Sequence, residues 1–265
     1  RSVRQSDRYR AMKADGATEE EIRAAFHTKM PMTVFTYHGE VDTTMTPLDS
    51  IRYYKSFLRA GMISIEPQTG YVKAYVGGLN YKHFQYDMCM VGRRQIGSTM
   101  KPFVYTLAME DGRSPDDKLP NVQRTFYVAG RPWTPRNASR ARYGQEVTLR
   151  WGLSQSNNWI TAQLMYSIDP TGYRLVNLLH EFGVANRDIH PSLALCLGPC
   201  DITVAELASA YTAFVNKGIR CAPILVTRIE DNQGNVIAEF HPRMNEVISE
   251  NSSYEMIEML QGVID

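Results

Sequence analysis

The chain has 265 residues, 43% of them hydrophobic, which is enough to bury the core of one large domain or of a domain with a small appendage. Its 29 Lys and Arg residues exceed its 28 Asp and Glu residues by one. Because positive and negative charges nearly cancel, the chain has no general electrostatic attraction to nucleic acid or to an acidic membrane surface. The sequence has no apolar run of about 18 residues, and it therefore predicts no membrane-spanning helix.

The cysteines and histidines predict neither a metal site nor a cofactor site. The four cysteines contain no CxxC pair, and the six histidines are scattered without metal-ligand spacing. Cys196 and Cys200 would form a disulfide only in an oxidising compartment and with favourable geometry, so the sequence leaves that pairing open. Cys89 and Cys221 are interpreted as small apolar fillers of the core.

The first thirty residues are charged and helical in pattern, which is typical of a linker. The stretch TEEE from Thr18 has the form of a capping box and predicts a short helix toward Phe26. A strand is predicted over Met32–Tyr37. Thr46, followed by a proline, predicts the start of a second helix, which is expected to end at Gly61.

A β-hairpin and a helix are predicted before the middle of the chain. The hairpin covers Met62–Glu66 and Tyr71–Val76, which are joined by the turn sequence PQTG. The helix is expected over about Ser98–Met109. The next segment, Asp111–Gln145, is crowded with Pro, Gly, Asn and Arg. Because it is too long for a passive connection, it is predicted to cover or border something.

Helical patterns continue through the second half of the chain, interrupted by a hairpin between Ala222 and Phe240. The helices are predicted from Thr148 to Ser154, from about Trp159, from Pro170 to Phe182, from Thr203 to Asn216, and from Ser252 to the end of the chain. Helices mixed with short hairpins indicate an α+β architecture, in which an antiparallel sheet is packed with helices.

The sequence GSTMKPFVYTLAM places Ser98 and Lys101 three residues apart at a predicted helix start. Residues at this spacing share a helix face, so the amine is expected to hydrogen-bond the hydroxyl. A serine becomes a nucleophile when a base takes its proton, and a lysine is a base only when neutral. Burial and the positive end of the helix dipole both lower a lysine pKa. The alternative is that Ser98 is an ordinary N-cap, because S-x-x-K also arises by chance.

A second polar triplet, Ser156-Asn157-Asn158, lies between two predicted helices. A hydroxyl at Ser156 can relay the proton of a lysine to a leaving amine. The amide of Asn158 offers both a donor and an acceptor to a peptide-like substrate. The alternative is that Ser156 and Asn158 cap the helix that begins near Trp159.

These motifs, with the sequence around them, resemble the transpeptidase domain of class A, bifunctional penicillin-binding proteins. S-x-x-K and a second serine-containing triplet are two of the three motifs of that group. The stretches TGYVKAYVGG, RRQIGSTMKPFVYTLAM and RYGQEVTLRWGLSQSNN extend the likeness over about Ser50–Asp265. The resemblance implies a penicillin-binding-protein/β-lactamase-like fold. It also implies that residues 1–45 form a linker toward a glycosyltransferase domain and residues 46–265 a transpeptidase domain.

By this resemblance, Ser98 is the acylated nucleophile, Lys101 its base, Ser156 a proton shuttle and Asn158 a ligand of the substrate amide. The implied substrate is the D-Ala-D-Ala end of a peptidoglycan stem peptide, whose acyl group passes to an amine of a neighbouring stem. β-Lactams would block Ser98, and no cofactor, metal or nucleic acid is implied. The implied location is the extracytoplasmic, periplasmic face of the bacterial inner membrane, with an N-terminal anchor as the membrane contact.

The third motif of the family, K-T-G or K-S-G, does not occur in the sequence. In the family it supplies an oxyanion-hole amide, and losing one such donor costs about 10²- to 10³-fold in rate. The chain is therefore expected to be a C-terminally truncated piece that is inactive alone. Two other functions stay open: a D,D-carboxypeptidase or serine β-lactamase, and a non-catalytic sensor that binds β-lactam or peptidoglycan.

Overall fold

The computed structural model describes residues 2–264. The described residues divide into two compact units, one made of residues 2–60 with 79–85 and one of residues 61–78 with 86–264. The segment 79–85 therefore belongs with the N-terminal residues, although residues of the second unit flank it in sequence. In the described part of the chain, no helix has the length and apolar character needed to cross a membrane.

The first unit combines helices with an antiparallel hairpin. The order is α1 (Asp7–Ala14), α2 (Glu19–His27), β1 (Met30–Thr36), β2 (Gly39–Met45) and α3 (Pro47–Ser56), with β1 paired to β2. The predicted capping box is confirmed at the start of α2. Glu21 N donates to the Thr18 hydroxyl at 3.2 Å, and Thr18 N donates to the Glu21 carboxylate at 2.8 Å.

Two features of the first unit differ from the prediction. Strand β2 was missed, because its sequence GEVDTTM is mostly exposed and lacks the alternation of a half-buried strand. Helix α3 ends at Ser56 rather than at Gly61. Phe57 adopts an extended backbone, and its ring packs against Phe84 at 5.6 Å between centroids. Leu58, predicted on the apolar face of the helix, is 84% exposed.

The second unit begins with the predicted hairpin, β3 (Met62–Ile65) and β4 (Val72–Val76). The elements that follow are β5 (Arg93–Gln95), a 3₁₀ helix (Gly97–Met100), α4 (Lys101–Glu110), β6 (Lys118–Pro120), β7 (Phe126–Val128), β8 (Arg131–Trp133), β9 (Glu146–Thr148), α5 (Leu149–Ser154), α6 (Asn158–Ile168), α7 (Tyr173–Glu181), a second 3₁₀ helix (Leu193–Leu197), β10 (Asp201–Thr203), α8 (Val204–Val215), β11 (Ile219–Cys221), β12 (Arg228–Glu230), β13 (Val236–Glu239), β14 (Met244–Glu246) and α9 (Glu250–Gln261).

The strands of the second unit form small antiparallel ladders. The pairs among the described residues are β3 with β4, β5 with β10, β6 with β9, β7 with β8, β11 with β14, and β12 with β13. The predicted α+β class, antiparallel strands packed with helices, is confirmed. The hairpin predicted between Ala222 and Phe240 is β12 with β13, and the long segment Asp111–Gln145 contains β6, β7 and β8.

Helix α4 lies at the centre of the core of the second unit. Its residues from Lys101 to Met109 are all buried, and it contacts α5, α6, α7 and α9. A helix that is apolar on every side is one surrounded by other elements. The position of Lys101 in the first turn of such a helix carries its amine into the protein interior.

Two helices begin later or earlier than predicted. Helix α7 begins at Tyr173, because Gly172 before it has a φ of +84°, outside the right-handed helical region. Helix α9 was expected to begin at Ser252 and to run to the end of the chain. It begins after Ser249, whose hydroxyl accepts from Ser252 N at 3.2 Å, and it ends at Gln261.

All four cysteines are buried free thiols, so the pairing of Cys196 with Cys200 that the sequence left open is not formed. Cys89 and Cys221 are fully buried, as expected for small fillers. Among residues 2–264, no group of three or more His, Cys, Asp or Glu side chains is arranged to hold a metal ion.

Candidate active site

Ser98 is exposed on the 3₁₀ helix Gly97–Met100, which leads directly into α4. The predicted α-helix start at Ser98 is therefore a tighter turn, and α4 itself begins at Lys101. The N-cap positions of the two helices are Ile96 and Met100, and neither makes a side-chain capping bond. The Ser98 hydroxyl therefore does not perform the ordinary capping role that the sequence left as an alternative.

The turn that carries Ser98 is fixed by hydrogen bonds from two sides. Gly97 N donates to the Gly198 carbonyl at 3.1 Å, continuing the contact between β5 and β10. From the other side, the Tyr211 hydroxyl on α8 donates to the Thr99 carbonyl at 2.9 Å. A serine hydroxyl exposed on a firmly held turn is the arrangement that a nucleophile requires.

Replacing Gly198 by alanine is expected to destabilise the protein by about 1–3 kcal/mol and to slow any reaction at Ser98. Gly198 has a φ of +73°, and a Cβ there would overlap the Gly97 carbonyl oxygen. Gly234→Ala is the matched control, because Gly234 has a φ of +87° with nothing within 4 Å. Urea unfolding measures the free energy of unfolding of both variants, and the difference between them reports the steric overlap beyond the backbone strain that both share. Equal losses of stability would contradict the tight contact under Ser98.

Lys101 is 1% exposed, and its amine faces Ser156. Lys101 Nζ donates to the main-chain carbonyl of Ser156 and, at 2.9 Å, to its hydroxyl. In the described residues both hydrogen bonds of this amine go to Ser156 and none to Ser98. The predicted Ser98–Lys101 hydrogen bond is therefore not formed, because the Ser98 side chain lies on the exposed side of its turn while the amine is buried.

Burial lowers the pKa of Lys101 from its ordinary 10.5 to about 8. The Cys196 thiol is close enough to influence the amine, but burial raises the pKa of Cys196 to about 12, so it carries no compensating charge at neutral pH. With a pKa of about 8, roughly 9% of the amine is neutral at pH 7, against about 0.03% for an unperturbed lysine. Lys101 can therefore accept a proton near neutral pH.

Ser156 is exposed in the turn between α5 and α6, and its backbone is in the left-handed region with a φ of +48°. A residue other than glycine in this conformation costs of order 1–3 kcal/mol and persists only where its surroundings impose it. In this conformation both its carbonyl and its hydroxyl contact Lys101. Ser156 and the buried amine of Lys101 therefore belong to the same candidate site.

The residue that caps α6 is Asn157. Its Oδ1 accepts from the backbone N–H groups of the first turn of the helix, at 2.9 Å from Trp159 N and 3.0 Å from the next residue. The alternative that Ser156 and Asn158 are the capping residues is therefore wrong. Asn158 is half-buried at the first position of α6, and its Nδ2 donates to the Arg136 carbonyl at 2.7 Å.

Asparagines that no sequence pattern singled out hold this triplet in place. Asn157 Nδ2 donates at 2.9 Å to Oδ1 of Asn121, which is completely buried. Asn137 Nδ2 donates to Asn157 Oδ1 at 3.1 Å, and Asn158 N donates to Asn137 Oδ1 at 2.6 Å. The segment Asp111–Gln145 thus borders the candidate site, as its length suggested. From the sequence, its asparagines are indistinguishable from ordinary loop residues. Their partners lie far away in the chain, so no short sequence spacing marks the contact.

Two protein-family models match the chain. The penicillin-binding protein middle domain matches residues 1–58, and the penicillin binding protein transpeptidase domain matches residues 60–265. The second match includes Ser98, Lys101, Ser156 and Asn158.

Curated relatives include penicillin-binding protein 1A of Aquifex aeolicus, which is 31% identical over 210 residues, covering 78% of this chain and 28% of that protein. Penicillin-binding protein 1A of Escherichia coli K12 is 33% identical over 189 residues, covering 71% of this chain and 22% of that protein. The chain thus spans 28% or less of the length of these two relatives.

Solved structures show the same fold. Penicillin-Binding Protein 1A from Haemophilus influenzae superposes with a TM-score of 0.72 at 25% identity, covering 78% of this chain and 35% of that one. Penicillin-binding protein A from M. tuberculosis, solved as an imipenem acyl-enzyme complex, gives a TM-score of 0.63 at 17% identity over 77% of this chain and 57% of that one. At that identity the second likeness is one of fold alone.

Proposed function

The chain belongs to the penicillin-binding protein transpeptidase family, and we propose that it carries the D,D-transpeptidase site of a peptidoglycan cross-linking enzyme that β-lactams inhibit. Ser98 attacks the D-Ala-D-Ala end of a stem peptide, and an amine of a neighbouring stem then takes the acyl group. The observation that carries the proposal is the buried amine of Lys101, 2.9 Å from the Ser156 hydroxyl and one helical turn from an exposed serine.

The first step is acylation of Ser98. Neutral Lys101 takes the hydroxyl proton as Ser98 Oγ bonds to the carbonyl carbon of the penultimate D-Ala. The C–N bond to the terminal D-Ala then breaks, and its nitrogen receives a proton through the Ser156 hydroxyl. Support comes from the 2.9 Å contact between Lys101 Nζ and Ser156 Oγ, which is already of proton-transfer length. Catalytic hydrogen bonds often form only with substrate bound, so the exposed Ser98 can engage the amine then.

The second step passes the acyl group to an acceptor amine, with the same groups acting in reverse. Asn158 binds the substrate amide in this proposal. Its Nδ2 is held by the Arg136 carbonyl at 2.7 Å, and in the described residues its Oδ1 accepts no hydrogen bond, so that oxygen is available to accept a substrate N–H. These proton transfers need neither a metal nor another cofactor.

The wider setting is also part of the proposal, because the chain spans less than a third of its curated relatives. Residues 46–265 would form the transpeptidase domain, and residues 1–45 a linker toward a glycosyltransferase domain. The substrate would place the site on the extracytoplasmic, periplasmic face of the bacterial inner membrane. The partners are the donor and acceptor stem peptides, with β-lactams as substrate mimics.

Product analysis tests this function, using the protein expressed from its gene at natural length, because the 265 residues contain no K-T-G. The protein is incubated with a D-Ala-D-Ala donor peptide and an amine acceptor, and the products are identified by mass spectrometry. We expect released D-Ala and a cross-linked peptide. Donor hydrolysis alone would assign a D,D-carboxypeptidase, and hydrolysed penicillin a β-lactamase. Binding of penicillin without any covalent adduct would contradict an enzymatic role.

A further inference from the structure

The side chain of Asn137 joins the long segment Asp111–Gln145 to the start of α6. Its Nδ2 donates to Asn157 Oδ1 at 3.1 Å, and its Oδ1 accepts from Asn158 N at 2.6 Å. These are the two residues that follow Ser156. We propose that Asn137 is a positioning residue, which holds the strained Ser156 turn against Lys101 during acylation. This inference rests on the function proposed above.

The Ser156 turn is anchored separately at its two ends. Toward α5, Ser156 N donates to the Leu153 carbonyl at 2.9 Å. Toward α6, Asn157 N donates to the Gly152 carbonyl at 2.8 Å and Asn157 Nδ2 to Asn121 Oδ1 at 2.9 Å, and Asn137 adds the two bonds described above. Within residues 2–264, the Ser156 side chain has Lys101 as its hydrogen-bonding partner. The orientation of the Ser156 carbonyl and hydroxyl therefore depends on the residues beside it in the chain.

A left-handed backbone at a serine relaxes when its surroundings no longer impose it. Without the Asn137 side chain, Asn158 N loses its acceptor and Asn157 Oδ1 loses one of its donors. The turn can then move toward an ordinary φ, and such a movement shifts the Ser156 hydroxyl and carbonyl away from Lys101. A displacement of about 1 Å at a reacting group can cost about 10²-fold in rate.

The rest of the contact does not depend on the Asn137 side chain. Trp159 Nε1 donates to the Pro135 carbonyl at 3.0 Å, and Asn158 Nδ2 donates to the Arg136 carbonyl at 2.7 Å. Both acceptors are main-chain atoms, which a substitution at residue 137 leaves in place. Asn137→Ala is therefore expected to leave the segment Asp111–Gln145 packed against α6 while removing the two hydrogen bonds that fix the Ser156 turn.

The test is the acylation kinetics of the natural-length protein with a fluorescent penicillin. For Asn137→Ala we expect the rate constant at saturating penicillin to fall by about 10- to 100-fold, with the half-saturating concentration unchanged. Asn137→Asp keeps the acceptor for Asn158 N but sets a carboxylate oxygen where Nδ2 donated to Asn157 Oδ1, so it is expected to recover only part of the rate. Thr134→Ala is the matched control: it removes a 2.8 Å bond to Thr125 in the same segment and should keep the parent rate.

A double-mutant cycle distinguishes positioning of Ser156 by Asn137 from a general loss of structure in the variant. In a Ser156→Ala background, Asn137→Ala should cause at most a small further fall, because the hydroxyl that it positions is gone. An equal fall in both backgrounds, or the parent rate in Asn137→Ala, would overturn the proposal. Asn137→Ser replaces the alanine variant if circular dichroism shows the latter unfolded. Failure of the parent protein to acylate at all would instead contradict the proposed function.

Discussion

Replacing Ser98 by alanine is expected to abolish covalent labelling of the natural-length protein by a fluorescent penicillin. The substitution removes the oxygen that would form the ester, and losing a nucleophile of this kind lowers turnover by roughly 10⁴-fold or more. Because Ser98 is exposed and caps neither neighbouring helix, the free energy of unfolding should change by less than about 0.5 kcal/mol. Gel fluorescence and intact mass measure the labelling, and urea unfolding the stability.

The neighbouring hydroxyl provides a matched control. Thr99 is exposed on the same turn, and its Oγ1 donates to the Ile96 carbonyl at 2.7 Å. Thr99→Ala should therefore retain labelling, and peptide mapping should place the adduct on Ser98 in both that variant and the parent. An adduct of the expected mass in Ser98→Ala would assign the nucleophile to another residue and reject the proposed chemistry.

The sequence predicted best those features that depend on residues close together in the chain. The capping box predicted at Thr18 links residues three apart and forms as predicted, and the helix predicted to start at Thr203 begins with a capping box of the same spacing. The start of α5 at the Thr148 cap is of the same kind. In each case one side chain satisfies a nearby backbone N–H, so no tertiary contact is needed to recognise it.

Contacts between distant segments could not be predicted in this way. Strand β5 has the sequence RRQ and pairs with β10, DIT, across more than a hundred residues. Three residues are too short to show an alternating pattern. The buried contact between Asn121 and Asn157 is similar, because asparagine is common in loops and its burial depends on the folded chain. These contacts hold the Ser98 turn and the Ser156 turn, so the framework of the candidate site was hidden from sequence reasoning.

For Lys101, the S-x-x-K motif predicted the lowered pKa but not the hydrogen-bonding partner. The hypothesis that burial lowers the pKa of Lys101 agrees with the structure, in which the side chain is 1% exposed and its pKa is lowered to about 8. The motif assigned the wrong hydrogen-bonding partner, because the Lys101 amine is buried against Ser156 while Ser98 is exposed. The partner in the structure is Ser156, and no local sequence pattern predicts its left-handed backbone.

The pH dependence of acylation is expected to report the pKa of Lys101. Only the neutral amine can take the Ser98 proton, and burial lowers the pKa of Lys101 to about 8. The acylation rate should therefore rise about tenfold per pH unit below pH 8, reach half its maximum near pH 8 and level off above it. A lysine with its ordinary pKa of 10.5 would keep the rate rising to about that pH. Stopped-flow labelling across pH 6–10 measures this profile.

Replacing Lys101 tests the same proton transfer by removing the base. Lys101→Met keeps a long apolar side chain at this buried position, and the acylation rate should fall by about 10²- to 10⁴-fold with the rise toward pH 8 abolished. Lys101→Arg is the matched control for charge, since a guanidinium keeps its proton throughout this range. If the positive charge of Lys101 alone promoted acylation, Lys101→Arg would retain much of the rate. A base must lose its proton to act, so we expect the arginine variant to be as slow as the methionine variant.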